Sequence, residues 1–302
     1  MGQRSGPTGR VGEGSATSAR RGPSSHVQVL ALRPGRAVRL PDRLATEEPL
    51  QVRVQPPGAE PVDVAVTLRT PGHDHELAVG YLLGEGLIEA GDVTAVVGCE
   101  RPATGGGGPA TGNVVTVGLS RPLRRAVALR EGMSTSSCGA CGKTSIDDVV
   151  VRCPPVRPGP VVTRSTLLAV PDALRGAQVL FGRTGGVHAA GELGADGTVV
   201  AVREDVGRHN ALDKVVGRAA MAGAHPVVGR VLALSGRIAF ELVQKAALAG
   251  FGVVVAVGAP SSLAVEAAER LGLTLVGFVR DGRANVYTHP ERIDLEDRSA
   301  GA

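Results

Sequence analysis

The 302-residue chain is poor in aromatic side chains, with two Tyr, four Phe and no Trp. Proteins that read single-stranded nucleic acid stack bases on exposed rings. The scarcity therefore argues against that function and leaves Ala, Val and Leu to fill a core. Lysine is almost as rare, at positions 143, 214 and 245, so arginine carries nearly all the positive charge. Cysteine is confined to Cys99, Cys138, Cys141 and Cys153, too few for a disulfide scaffold in a chain this long. The one close pair points instead to chemistry. Long apolar runs are missing too. The longest stretch without a polar side chain, Ala246 to Pro260, is fifteen residues with three glycines, whereas a membrane span needs about 20. Arg20-Arg21 is followed by Gly22-Pro23-Ser24-Ser25-His26, not by the apolar core of a signal peptide. A soluble, cytoplasmic protein with no membrane partner is expected.

Positive charge is also lacking where a polyanion would need it. The net charge is +4, but Arg4, Arg10, Arg20 and Arg21 against Glu13 place most of it in residues 1–24. The remaining body is nearly neutral, without the basic footprint of a nucleic-acid partner. What is present is a globular balance, 43% hydrophobic and 21% charged, with 43 glycines, about twice the usual share.

The pattern predicts a disordered tail over residues 1–24, then an α+β domain over 25–130. Its clearest strand is Val62 to Leu68, where alternate residues are apolar. Pro71-Gly72 ends it, and Asp74 is placed to cap a helix running from His75 to about Leu83. Residues 131–145, EGMSTSSCGACGKTS, have almost no apolar anchor and predict a mobile cysteine loop. Residues 146–295 predict a second domain, leaving 296–302 as a tail. This domain begins with a helix from Thr166 to Phe181 and a hairpin turning at Asp196-Gly197. Three alternating helices and strands follow, which implies a mainly parallel sheet covered on both faces.

Several segments have the composition of a site. The Cys138-Gly-Ala-Cys141 pair has three readings: half of a structural zinc site, a redox dithiol, or a carrier of transferable sulfane sulfur. Arg203 to Lys214 gathers Asp205, Arg208, His209 and Asn210 where a strand gives way to a helix. The alternative there is a solvated loop with an Asp213–Lys214 surface pair. Ser235-Gly236-Arg237 and Ser261-Ser262 follow strands and open helices, where free N–H groups attract anions or plain serine caps suffice. Phe278-Val279-Arg280-Asp281-Gly282-Arg283 closes the last strand, with two arginines able to fork onto phosphate oxygens. His188, after Thr184-Gly185-Gly186, is a lone histidine of open role.

Taken in order, these segments resemble the formate dehydrogenase accessory sulfurtransferase family, the FdhD-type sulfur carriers. The matching motifs are Arg69-Thr-Pro-Gly-His-Asp74, Cys138-Gly-Ala-Cys-Gly142, Thr184-Gly-Gly-Val-His188, Arg203 to Lys214, Ser235-Gly-Arg237, Glu241 to Lys245, Ala259-Pro-Ser-Ser262 and Gly277 to His289. The resemblance covers about residues 60–290. It departs from the family only in the tail and the glycine run near residue 105.

The resemblance implies a persulfide sulfurtransferase that takes sulfur from a cysteine desulfurase and passes it to molybdenum bis(molybdopterin guanine dinucleotide) for formate dehydrogenase. It places the persulfide on Cys138 with Cys141 as partner, and cofactor contact on Phe278 to Arg283. It implies a cytidine-deaminase-like three-layer α/β/α second domain without the deaminase zinc motif, so no metal ligands are expected. A homodimer is compatible with the family, although the sequence shows no seam for one. From a different class, a non-catalytic cofactor-binding chaperone would need the same nucleotide site but no sulfur chemistry. A zinc-binding interaction module stands third.

Overall fold

The computed structural model describes residues 22–99, 113–125, 155–156 and 159–297. The expected tail at 1–24 is thus described only from residue 22. The glycine run at 105–108 and the cysteine loop expected at 131–145, with Cys138 and Cys141, lie outside the described residues.

Strands β1 (Ser24–Arg33) and β2 (Arg36–Ala45) form an antiparallel hairpin. β2 carries no clean apolar alternation, and both strands of the hairpin are exposed or half-buried throughout. Strands β3 (Glu48–Gln55) and β4 (Val62–Arg69) lead to helix α1 (Asp74–Gly84), then to β5 (Val93–Cys99) and β6 (Val114–Leu119). These four strands make a sheet in the order β4-β3-β6-β5, with β3 and β6 parallel. α1 does not begin as the sequence suggested. His73, with left-handed backbone (φ 58°), stands at its N-cap without a side-chain cap bond. Asp74 is the first helical residue, and its carboxylate receives two hydrogen bonds from Arg69 at 2.9 and 3.0 Å.

The second half opens with the short β7 (Val162–Thr163). The single helix expected over 166–181 is two, α2 (Arg164–Ala177) and α3 (Val179–Thr184), parted at Gln178. Strands β8 (His188–Gly194) and β9 (Val199–Asp205) form the hairpin expected at Asp196-Gly197. Helix α4 (Arg208–Met221), β10 (Arg230–Leu234), α5 (Phe240–Ala249), β11 (Val253–Ala256), α6 (Ser262–Leu271), β12 (Thr274–Arg280), β13 (Arg283–Thr288) and β14 (Ile293–Asp294) follow.

The main sheet has the order β13-β12-β11-β10-β8-β9. Only the β10–β11 and β11–β12 pairings are parallel; β8, β9 and β13 join through antiparallel pairings. The sheet is therefore mixed rather than mainly parallel, because two of its strands come from a hairpin and its last from a tight turn. The fold is mixed α/β, and no described helix is long and apolar enough to cross a membrane.

Burial on both faces explains the unbroken apolar runs of β10 and β11. Leu232, Leu234, Val254 and Ala256 face one core with α4 and α5; Val231, Ala233, Val253 and Val255 face another with α2. The first core also includes Leu50, Val52, Leu77, Leu82, Val115 and Val117, so α1 and the four-stranded sheet share it with the six-stranded sheet. At this junction α1 crosses α4 backbone to backbone. A Cβ on Gly80 would lie 1.8 Å from the Asp213 carbonyl oxygen, and one on Gly217 would lie 1.8 Å from that of Glu76. Only glycine permits so close an approach.

Candidate functional site

Two polar assemblies grow from the motif segments, and they differ in kind. The first lies between α1 and α4. Lys214 on α4 and Asp205 at the end of β9 are 2.7 Å apart, with side chains 1% and 0% exposed. Asp205 also accepts hydrogen bonds from the Thr70 and Gly207 N–H groups and from Asn210 Nδ2. Asn210 Nδ2 donates to the Leu68 carbonyl as well, and its Oδ1 accepts from Thr67 Oγ1. Lys214 Nζ donates to the Thr70 carbonyl, and Thr70 Oγ1 accepts from the Val206 N–H. Each buried polar group is thus satisfied by its neighbours, as burial in low dielectric requires.

Beside this assembly, Lys245 on α5 donates to both carboxylate oxygens of Asp213 at 2.7 and 2.8 Å, with Glu85 3.6 Å away. Burial pushes the Asp213 carboxyl up to about 6, against the pull of Lys245. Burial opposes the charge of Lys245 too, but Asp213 and Glu85 outweigh it and hold the ammonium above its ordinary range. Arg203 on β9 forks onto Glu76 of α1 at 2.6 and 2.8 Å. Burial works against that carboxylate, yet Arg203 and His73 lower its pKa to about 2.

This corrects three sequence readings. Asp205 and Asn210 are enclosed and fully bonded, so they position the β9–α4 turn and are not available to a ligand. Asp213 and Lys214 are not a surface pair; each is buried and bonded to a different partner. Lys214 and Lys245 are two of the chain's three lysines, and both are buried.

The second assembly lies along one edge of the six-stranded sheet, at the carboxyl ends of β10, β11 and β12, where ligands of open α/β sheets bind. Its turns are stitched together: Ile238 N–H donates to Ala259 O, Ser261 N–H to Ile238 O, and Phe278 N–H to Gly258 O. A Cβ on Gly258 would lie 2.7 Å from the Gly236 carbonyl oxygen, so these turns touch through bare backbone. Ser235 does not cap a helix. α5 begins at Phe240 behind Ala239, and Ser235 Oγ instead accepts from the Ala189 N–H at 2.8 Å, tying β10 to β8. Ser261 does cap α6, accepting from the Ala264 N–H at 3.2 Å, with Ser262 exposed beside it.

Phe278 is 37% exposed with φ 54°, a strained conformation for an aromatic residue of the kind found at ligand clamps and switch regions. The Arg280 guanidinium lies 5.7 Å from its ring centroid. Asp281 and Gly282 make the turn, and Arg283 is exposed 3.7 Å from Asp281. Val279 departs from the expected set: it is fully buried in the core against α2, so its side chain cannot reach a ligand.

The remaining predicted residues come from the neighbouring turn. Arg208 is the first residue of α4, and its Nε is buried without a hydrogen-bond partner among the described residues. His209, next along α4, is buried. His188 stands opposite Asp205 in the β8–β9 pairing, and its Nδ1 lies 3.2 Å from where a Gly236 Cβ would be. Burial, with the charges of Arg208 and Arg237, lowers its pKa. The edge thus gathers Arg208, His188, Gly236 and Arg237 at one turn, and beyond the stitched turns presents Phe278, Arg280 and Arg283. His188 joins them because β8 runs antiparallel to β10 and starts where β10 ends, a placement that the sequence spacing does not reveal.

A model of the FdhD/NarQ family matches residues 45–294. The chain belongs to this family. Family proteins named Sulfur carrier protein FdhD from Mycobacterium bovis and Nocardia farcinica are each 46% identical to it. The first alignment covers 89% of this chain and 98% of the relative, the second 91% and 95%. One of the same name from Anaeromyxobacter dehalogenans is 47% identical over 87% of this chain and 92% of its own length. The crystal structure of a protein described as a formate dehydrogenase accessory protein from Desulfotalea psychrophila matches with a TM-score of 0.71 at 22% identity. It covers 90% of this chain and 99% of that one, and so shares the fold.

Proposed function

We propose that the protein is a sulfur carrier for formate dehydrogenase maturation, taking sulfane sulfur from a cysteine desulfurase and delivering it to molybdenum bis(molybdopterin guanine dinucleotide). The observation that carries this reading is the Cys138-Gly-Ala-Cys141 pair in a chain 46% identical, over nearly its whole length, to proteins named as sulfur carriers. The Cys138 thiolate attacks the outer sulfur of the desulfurase persulfide. A new S–S bond forms on Cys138, and the desulfurase cysteine leaves as a thiolate that takes a proton. Delivery as sulfide needs two electrons. Attack of the Cys141 thiolate on the inner sulfur of Cys138 supplies them, expelling hydrosulfide toward the acceptor and leaving a Cys138–Cys141 disulfide. Thiol reductants of the cell restore the pair.

The sheet edge is the place for the acceptor, bound as substrate through its guanine nucleotide ends. Arg208, Arg237, Arg280 and Arg283 supply cations for phosphate, with Ser261, Ser262 and the free N–H groups of the α6 N-terminus beside them. Phe278 offers a ring face to a base.

Incubation with a cysteine desulfurase and sulfur-labelled cysteine tests the sulfur step. Label removable by dithiothreitol is expected on the wild type and absent from Cys138→Ala. A wild type that never takes label, yet binds guanosine diphosphate, would be a non-catalytic chaperone.

A further inference from the structure

His188 is half-buried, and among the described residues neither ring nitrogen has a hydrogen-bond partner. Arg208, three residues past the Asp205 that His188 faces across the β8–β9 pairing, has a buried Nε with no hydrogen-bond partner among the described residues. Native folds rarely leave a buried donor such as this Nε unsatisfied, and the half-buried imidazole beside the same turn has nitrogens that no side chain or backbone group of the described residues engages. The charged groups facing the imidazole are Asp205 on β9, Arg208 on α4 and Arg237 in the turn after β10. Asp205 favours an imidazolium, but its charge is already matched by Lys214 at 2.7 Å. The two guanidiniums and burial prevail, and the free ring is held neutral.

We propose that His188 is a ligand-binding residue of this edge, taking a proton from solvent when a phosphate group binds between Arg208 and Arg237 and donating it in a hydrogen bond to that group. This rests on the nucleotide-binding reading above and adds to it a proton-linked specificity residue. An anion placed between the guanidiniums cancels the field that keeps the ring neutral, so the bound state holds a proton that the free state lacks. By linkage, affinity then rises as pH falls, by at most about tenfold per pH unit for one proton. Gly236 is part of the device: a Cβ there would crowd Nδ1 at 3.2 Å.

Titration calorimetry of the full chain with guanosine diphosphate, and separately with pyrophosphate, tests this in two buffers of different ionisation enthalpy. The wild type is expected to take up more protons than His188→Gln, the ligand's own titration cancelling in the difference. Between pH 8.5 and 6.5 its affinity should rise about tenfold more than the variant's. Gly236→Ala should lose the extra uptake as well. Should either variant fail to fold, the wild-type imidazole signals, titrated by NMR with and without pyrophosphate, must move to higher pKa on binding. Equal proton uptake in both proteins, or an unmoved imidazole, overturns the proposal while leaving nucleotide binding intact. Uptake with pyrophosphate but no binding of guanosine diphosphate keeps the proposal and sinks the nucleotide reading. Binding of neither ligand removes both.

Discussion

Two regions of this molecule look alike in sequence and behave as opposites in the fold. Arg203 to Lys214 and Phe278 to Arg283 are both short runs rich in charge around a glycine at the end of a strand. In the first, Asp205, Asn210 and Lys214 are sealed between α1 and α4 and satisfy one another and the Thr70 backbone. In the second, Phe278 keeps a strained backbone, Arg280 and Arg283 face outward, and only Val279 enters the core. Polar density alone therefore does not mark a ligand site. What separates the two is whether the protein's own groups complete the hydrogen bonds. Arg208 sits on the boundary, one residue from the sealed turn and yet with its Nε unpartnered among the described residues.

The largest effect is expected where the sealed region is broken. Lys214→Ala leaves the Asp205 carboxylate buried without its cation and the Thr70 carbonyl without its donor. Removing one partner of a buried ion pair costs about 3–5 kcal/mol. The urea midpoint should fall accordingly with the slope unchanged. A loss below about 1 kcal/mol would mean that the pair is no stronger than a surface bridge and that the contrast drawn above is false.

A smaller effect, tied to pH, is expected at the rim of the same region. Glu76 is held down to about 2 from 4.5, against burial, by Arg203 and His73. A depressed carboxylate contributes stability that is complete above its unfolded pKa and disappears as pH falls through the folded one. The contribution, about 3 kcal/mol, should therefore be lost between about pH 4.5 and 2. Glu76→Gln should be less stable at pH 7 and show a flatter acid limb in thermal melts. An acid limb identical to that of the wild type would show that Arg203 does not hold Glu76 in the folded state.

How much of this was legible follows from which interactions are local. The β8–β9 hairpin was readable because Asp196-Gly197 is a local turn, and β10 and β11 because burial on both faces demands unbroken apolar runs. The parallel fraction of the sheet was misjudged, since the antiparallel pairing of β8 with β10 joins segments remote in sequence. The capping role expected of Asp74 differs for a more local reason: Arg69, at the end of β4, claims its carboxylate. Within the site, the exposed arginines and Ser261 could be named from their places after strands. His188 could not be judged, because its surroundings come from β9, α4 and the β10 turn. Asp205 was misread because nothing local to it shows that Thr70 and Lys214 close over it.

The smallest effect on stability should come from the edge. Arg237 is exposed in the turn after β10 and pairs with no carboxylate among the described residues. Removing such a side chain changes stability by within about 0.5 kcal/mol. If the edge is a phosphate site, the same change removes a charge-assisted hydrogen bond of about 1.5–3 kcal/mol, a loss of roughly ten- to a hundredfold in affinity for guanosine diphosphate. Arg237→Ala should thus melt with the wild type while binding nucleotide far more weakly, the reverse of a rim variant such as Glu76→Gln. A melt lowered as much as that of Lys214→Ala would show that the stitched turns, too, are held by their charges, and the edge would then be structure rather than site.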